Sequence, residues 1–194
     1  GAINGFSESL ATSGNVVLQS TGDSIQTMGM GSTAILAQSV GGGGGFVGNG
    51  AEEIRLGGKN LQNTSAGKVQ VTNKSVISTA GTGSAGLIAQ SVGGGGGVVS
   101  ISSTEKIILG ATGVVNAIGS DVNVKNSGDI SSSGTASSLI VAQSIGGGGG
   151  FTTLDDDETN LNQSNTIQLG SKQAVLAKSS SVTIENSGNL YSTG

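Results

Sequence analysis

One nine-residue block appears three times in this chain and governs what it can fold into. Ala37-Gln38-Ser39-Val40 runs into Gly41 to Gly45, Ala89-Gln90-Ser91-Val92 into Gly93 to Gly97, and Ala142-Gln143-Ser144-Ile145 into Gly146 to Gly150. The blocks are 52 and 53 residues apart, counted from Gln38 to Gln90 and from Gln90 to Gln143. Two further landmarks follow each block in the same order. The first is Ile54-Arg55-Leu56-Gly57, Ile107-Ile108-Leu109-Gly110 and Ile167-Gln168-Leu169-Gly170. The second is an alternating segment: Val69-Gln70-Val71-Thr72-Asn73, Val122-Asn123-Val124-Lys125-Asn126 and Val182-Thr183-Ile184-Glu185-Asn186. From the Leu of one landmark to the first residue of the next is 13 residues every time. A degenerate earlier copy begins at Val16-Val17-Leu18.

The 194 residues therefore divide into repeats of approximately 16–68, 69–121 and 122–181, with a partial one at 182–194, all in one solenoid segment. Both ends read as cut from a longer array. Length variation collects between the third glycine run and Ile167, where Asp155-Asp156-Asp157-Glu158 lies. An insertion at one fixed point of a repeat maps to a surface loop.

A repeat array needs no single central core, and the composition agrees. There are 37 Gly, no Pro, Cys, His or Trp, and four aromatic residues: Phe6, Phe46, Phe151 and Tyr191. The apolar side chains are mainly Val, Ile, Leu and Ala, and the first three suit stacked strands. In Val122 to Asn126 the apolar and polar positions alternate, giving one face of each kind. Asn-Ser-Gly follows at Asn126 to Gly128 and Asn186 to Gly188, and a second short strand lies near Ile130 and Leu190. Asn and Gly accept the left-handed backbone of a tight corner.

These signals predict an all-β parallel β-helix with roughly four to six short strands per unit. Solenoid turns commonly hold on the order of 20 residues, so two or three turns per unit are expected. In Ile140 to Ile145 both faces are apolar or small, which predicts a strand covered on both sides. Gln38, Gln90 and Gln143 would then be buried and must be hydrogen-bonded. A direct Gln ladder requires that a whole unit be a single turn. The fixed position of the glycine runs favours ordered polyglycine packed closely on a neighbouring layer over a flexible hinge.

The tandem Ala-Gln-Ser-(Val/Ile)-Gly5 units and the Val-x-Val-x-Asn-Ser-Gly strands resemble the Gly-rich passenger regions of large Gram-negative autotransporters and related haemagglutinin-like adhesins. The resemblance covers nearly the whole chain. It implies export to the cell surface, a right-handed parallel β-helix and, often, a C-terminal membrane barrel. The expected role is that of a non-catalytic extracellular stalk, fibre or adhesin. Its partners would be further repeats of the same protein or self-association, with surface glycans or another cell as contacts. A phage tail-fibre or carbohydrate-binding β-helix and a self-assembling matrix filament are the alternatives.

Several chemistries are set aside. Absence of His and Cys removes Ser-His-Asp and Cys-His triads and the usual zinc sites. The eight basic residues are scattered, which argues against nucleic-acid binding. No apolar run approaches the ~18 residues of a membrane span. The first ten residues do not read as a signal peptide. The glycine runs lack the Gly-Lys-Ser/Thr of a phosphate loop. Asp155 to Glu158 reads as a solvated loop and not as a calcium site, since the ligand spacing of a calcium loop is missing. Asp23, Asp121 and Asp129 stand far apart, and Asp23 and Asp129 read as equivalent corner residues, each after a Gly. Phe46 and Phe151, each directly after a glycine run, read as caps on the interior. No catalytic, metal or cofactor residues are assigned.

Overall fold

The structure, a computed structural model, describes residues 10–48, 53–101, 106–154, 166–173 and 176–194. Within these, strands numbered β1 to β20 in chain order form six parallel sheets. The alternating landmark makes the first: β2 (Val16–Ser20), β8 (Val69–Asn73), β14 (Val122–Asn126) and β19 (Val182–Asn186). The short strands after the corner make the second: β3 (Ser24–Thr27), β9 (Val76–Thr79), β15 (Ile130–Ser132) and β20 (Leu190–Ser192). The Ala-Gln-Ser blocks pair as β4 (Ile35–Val40), β10 (Leu87–Val92) and β16 (Ile140–Ile145). Past the glycines come β5 (Gly44–Val47), β11 (Gly96–Ile101) and β17 (Gly149–Leu154). The Ile-x-Leu-Gly landmark forms β6 (Glu53–Leu56), β12 (Lys106–Leu109) and β18 (Thr166–Leu169). The last sheet holds β1 (Leu10–Thr12), β7 (Gln62–Ser65) and β13 (Val115–Ile118).

The pairing fixes the size of a turn. Val16 pairs with Val69, Val69 with Val122, and Val122 with Val182. Gln38, Gln90 and Gln143 likewise share one column. Each sheet takes one strand from each unit, so one unit is one turn. The expectation of two or three turns per unit is overturned. Each turn spends its residues on six different strands around a wide perimeter. None of the six pairs with another strand of its own unit.

The expected β-helix is thus present, with about 53 residues to each ~4.8 Å layer. Chain length goes into cross-section, and a wide cross-section needs internal structure. The sheet β4-β10-β16 supplies it. Every residue from Leu87 to Val92 is buried. Leu87 and Ala89 pack in the largest apolar cluster with Val69, Val71, Val122, Val124, Ile77 and Ile130. Ile88, one residue out of phase, packs on the opposite side with Ala85 and Val98. A separate cluster of Ile54, Val99, Ile107 and Leu109 fills the space between the sheets of β11 and β12.

Length differences between units sit mainly in the connection to β6, β12 and β18. From Val47 to Glu53 is 6 residues, from Val99 to Lys106 is 7, and from Thr152 to Thr166 is 14, although these positions pair in register. The acidic run Asp155 to Glu158 belongs to this connection and lies outside the described residues.

Candidate functional site

Two of the recurring motifs supply side-chain ladders between layers. Gln38 Nε2 donates to Gln90 Oε1 (2.7 Å), and Gln90 Nε2 donates to Gln143 Oε1 (2.5 Å). Gln90 is 0% exposed, so this ladder satisfies an amide that burial would otherwise penalise by several kcal/mol. A second ladder runs through Asn73 Nδ2 to Asn126 Oδ1 and Asn126 Nδ2 to Asn186 Oδ1, both 2.7 Å.

The Asn ladder also holds the corner. Asn73 Nδ2 donates to the Ser75 carbonyl and Asn73 Oδ1 accepts from the Ser75 N–H (2.9 and 3.2 Å). Asn126 and Asn186 donate in the same way to the carbonyls of Gly128 and Gly188 (both 2.7 Å). This corrects the left-handed reading of Asn-Ser-Gly, since none of these residues has a positive φ. Gly128 is required for close approach: a Cβ there would collide with the Ser75 carbonyl oxygen of the layer below. Left-handed residues stack elsewhere, in columns such as Gly31, Gly83 and Ala136 (φ 63°, 66° and 53°).

The Ser of Ala-Gln-Ser staples two layers of a neighbouring corner. Ser39 Oγ donates to the Gly14 carbonyl and accepts from the Gly67 N–H, both at 2.8 Å. One turn on, Ser91 Oγ donates to the Gly67 carbonyl (2.9 Å) and accepts from the Ser120 N–H (2.8 Å). Ser144 Oγ accepts from the Ser180 N–H at 2.9 Å.

The glycine runs are ordered, as expected. Within each turn a run is tied across the interior by one repeated bond. Gly58 N–H donates to Gly42 O (2.9 Å), Ala111 N–H to Gly94 O (2.9 Å), and Ser171 N–H to Gly147 O (2.8 Å). Between layers the contact is backbone on backbone. A Cβ at Gly44 would collide with the Gly96 carbonyl oxygen, and one at Gly96 with that of Gly149.

The aromatic residues after the runs divide. Phe151 packs on the cluster of Ala85, Ile88 and Val98, whereas Phe46 is 45% exposed. Both share a column with Val98.

The acidic residues singled out in sequence lie in corners between strands, Asp121 directly before β14 and Asp23 and Asp129 directly before β3 and β15. Asp23 and Asp129 lie at the same corner but one register apart: Ile25 and Ile130 both stack on Ile77, which leaves the first turn one residue longer there. The apolar column, not the Gly-Asp dipeptide, sets the register. Asp129 Oδ1 accepts from the Asn189 N–H (2.8 Å). Asp121 Oδ2 lies 3.1 Å from Lys68 Nζ, and Asp121 Oδ1 accepts from Ser181 Oγ (3.1 Å). Those two hydrogen bonds, Lys68 first, hold the Asp121 carboxyl below its usual range. Glu53 is lowered likewise, by the hydrogen bond from Arg55 and then by Lys106. Its Oε1 lies 2.8 Å from Arg55 Nη2 and 3.3 Å from Lys106 Nζ. Lys125 Nζ and Glu185 Oε2 are 3.1 Å apart.

Sequence reading missed these ion pairs between layers. Aligning the units as single turns finds them, because Lys68 falls over Asp121, Glu53 over Lys106 and Lys125 over Glu185. Among the described residues no three carboxylates converge on one point. A shallow open groove of about 430 Å³ runs outside the Asn ladder, lined by Thr72, Lys74, Lys125, Ser127, Glu185 and Ser187, among others. Comparisons with protein-family models, curated proteins and solved structures each found no match.

Proposed function

We propose that this chain is a non-catalytic structural and adhesive segment of a bacterial surface protein, whose work is to be a stiff, extendable rod. The observation that carries the reading is the register-true stacking of whole units. Each added unit extends the rod by one layer of ~4.8 Å and meets the same columns of Val, Gln and Asn as the last. The bending stiffness of a rod rises steeply with its width, and a 53-residue turn with a covered internal sheet is wide for its length. The long insertion enters at one point of the perimeter, so a contact loop can vary there while the shaft stays constant. The resemblance to Gly-rich passenger regions points the same way, and on that reading surface glycans or another cell are what the loops would meet.

Two measurements test the proposal. Antibodies against the purified chain should label intact cells of the source organism, and added protease should remove the signal. Electron microscopy of the purified full-length protein should show straight rods. Labelling confined to lysed cells, or a compact particle with no rod, would overturn the surface-stalk role.

A further inference from the structure

Most of the columns that hold this solenoid together do not distinguish one unit from another. Val69, Val122 and Val182 stack, as do the three Gln and the three corner Asn, with the same residue type in each layer. Such columns favour any unit on any unit. They would equally favour a unit stacked on the identical unit of a second copy, the in-register arrangement of cross-β aggregates.

The outward charges are different. Lys68 stacks beneath Asp121 with its Nζ 3.1 Å from the carboxylate, and Lys125 stacks on Glu185, also at 3.1 Å. Glu53 pairs in register with Lys106 at 3.3 Å. In these columns neighbouring units carry opposite charges. Two copies of the same unit would place Lys68 over Lys68, Asp121 over Asp121, Lys125 over Lys125 and Glu185 over Glu185. A unit stacked two layers out of place would face Lys68 with Ser181 and Thr72 with Glu185, losing the pairs.

We infer that the interlayer ion pairs of Lys68 with Asp121 and Lys125 with Glu185 are a pairing code, which directs each turn onto its own chain neighbour and away from the identical turn of another copy. This does not depend on where the protein resides. Exposed pairs of this kind each shift an equilibrium by about 1.5- to 5-fold. That is small beside the apolar columns, but those favour right and wrong partners alike, so the small term decides between them.

The test is refolding of the 194-residue chain from denaturant by dilution at low ionic strength, over a series of concentrations. Monomer is read by size exclusion and β-rich aggregate by sedimentation. Three chains are compared: the parent, a charge-swapped chain (K68D, D121K, K125E, E185K) and a neutralised chain (K68Q, D121N, K125Q, E185Q). Parent and swapped chains, each alone, should refold mainly to monomer, and the neutralised chain should sediment more. An equimolar mixture of parent and swapped chains should sediment more than either alone, with both chains in the pellet, because like-on-like stacks between them carry opposite charges. Molar salt, with a screening length of ~3 Å, should remove these differences. A mixture that behaves as the mean of its parts would overturn the inference. Should the swapped chain refold poorly by itself, the neutralised chain decides: monomer recovery equal to that of the parent at low salt would overturn it.

Discussion

Two regions of each turn solve the same stacking problem by opposite means. In the sheet β2-β8-β14-β19, layers are held by side chains: Val69 and Val122 fill the interior while Asn73, Asn126 and Asn186 bond up and down the column. In the glycine runs, layers are held by the absence of side chains, with one backbone lying directly on the next. The first region loses contacts when a side chain is cut back, and its neighbours can partly relax into the space. The second has no room to relax where the colliding atoms are backbone in both layers, as at Gly44 and Gly96. Side-chain packing here is graded, and glycine packing at those backbone contacts is close to all-or-none.

The largest expected effect breaks the second region. Gly96 has φ +138° and a Cβ on it would strike the Gly149 carbonyl oxygen. Gly96→Ala should therefore cost more than backbone strain alone, at least about 4 kcal/mol, or prevent folding. Gly45, in the equivalent run one turn down, has φ +149° but nothing within 4 Å of a Cβ. Gly45→Ala should cost the strain alone, about 1–3 kcal/mol. Denaturant unfolding of both variants checks the contrast, and equal losses would show that close approach is not what the run requires.

Next comes the graded region. Asn126→Ala removes three hydrogen bonds and leaves one N–H of the buried Asn73 amide without its acceptor, for an expected loss of about 2–4 kcal/mol. The chain should still fold, with a lowered midpoint and an unchanged denaturant slope. A gain in stability comes from the opposite edit. Thr64 is fully buried, and its hydroxyl has no partner among the described residues. Its register partner in the next turn is Ala117. Thr64→Val should stabilise the chain by about 1 kcal/mol, seen as a raised melting temperature.

The repeat makes the solenoid, its strands and its insertion point legible in the sequence. It concealed the size of a turn, because a unit with six dissimilar strands looks like several small turns laid end to end. The Gln at one fixed place was the clue, since a buried amide recurring once per unit needs a partner one unit away. The role of the corner glycines stays hidden because sequence shows that a residue lacks a Cβ, not which neighbour lies where the Cβ would be. Asp23 and Asp129 do not align because the Ile25, Ile77 and Ile130 column, which carries the burial, outweighs a short polar match.

The smallest expected effect concerns the exposed ion pairs. Glu53 and Asp121 both ionise at lower pH in the folded chain than in the unfolded one. Their contribution is therefore complete above the unfolded values, near pH 4, and is lost as pH falls through the folded values. The melting temperature should be level from neutrality to about pH 5. Below about pH 4 it should fall slightly more for the parent than for an E53Q/D121N variant. Identical acid profiles would show that these pairs do not couple to folding.

The identity of one unit with one turn is tested most directly by cross-linking, which the absence of Cys makes clean. Gln70 and Asn123 are register partners on one sheet, and Ser78 and Ser131 on another. Adjacent layers place such residues within the ~4.4–6.8 Å span of Cα atoms that a disulfide requires. Chains carrying Q70C/N123C or S78C/S131C should each close one intramolecular disulfide under mild oxidation while folded, and stability should rise by up to about 4 kcal/mol. Failure of both pairs to close in the folded monomer would contradict the stacking of unit upon unit.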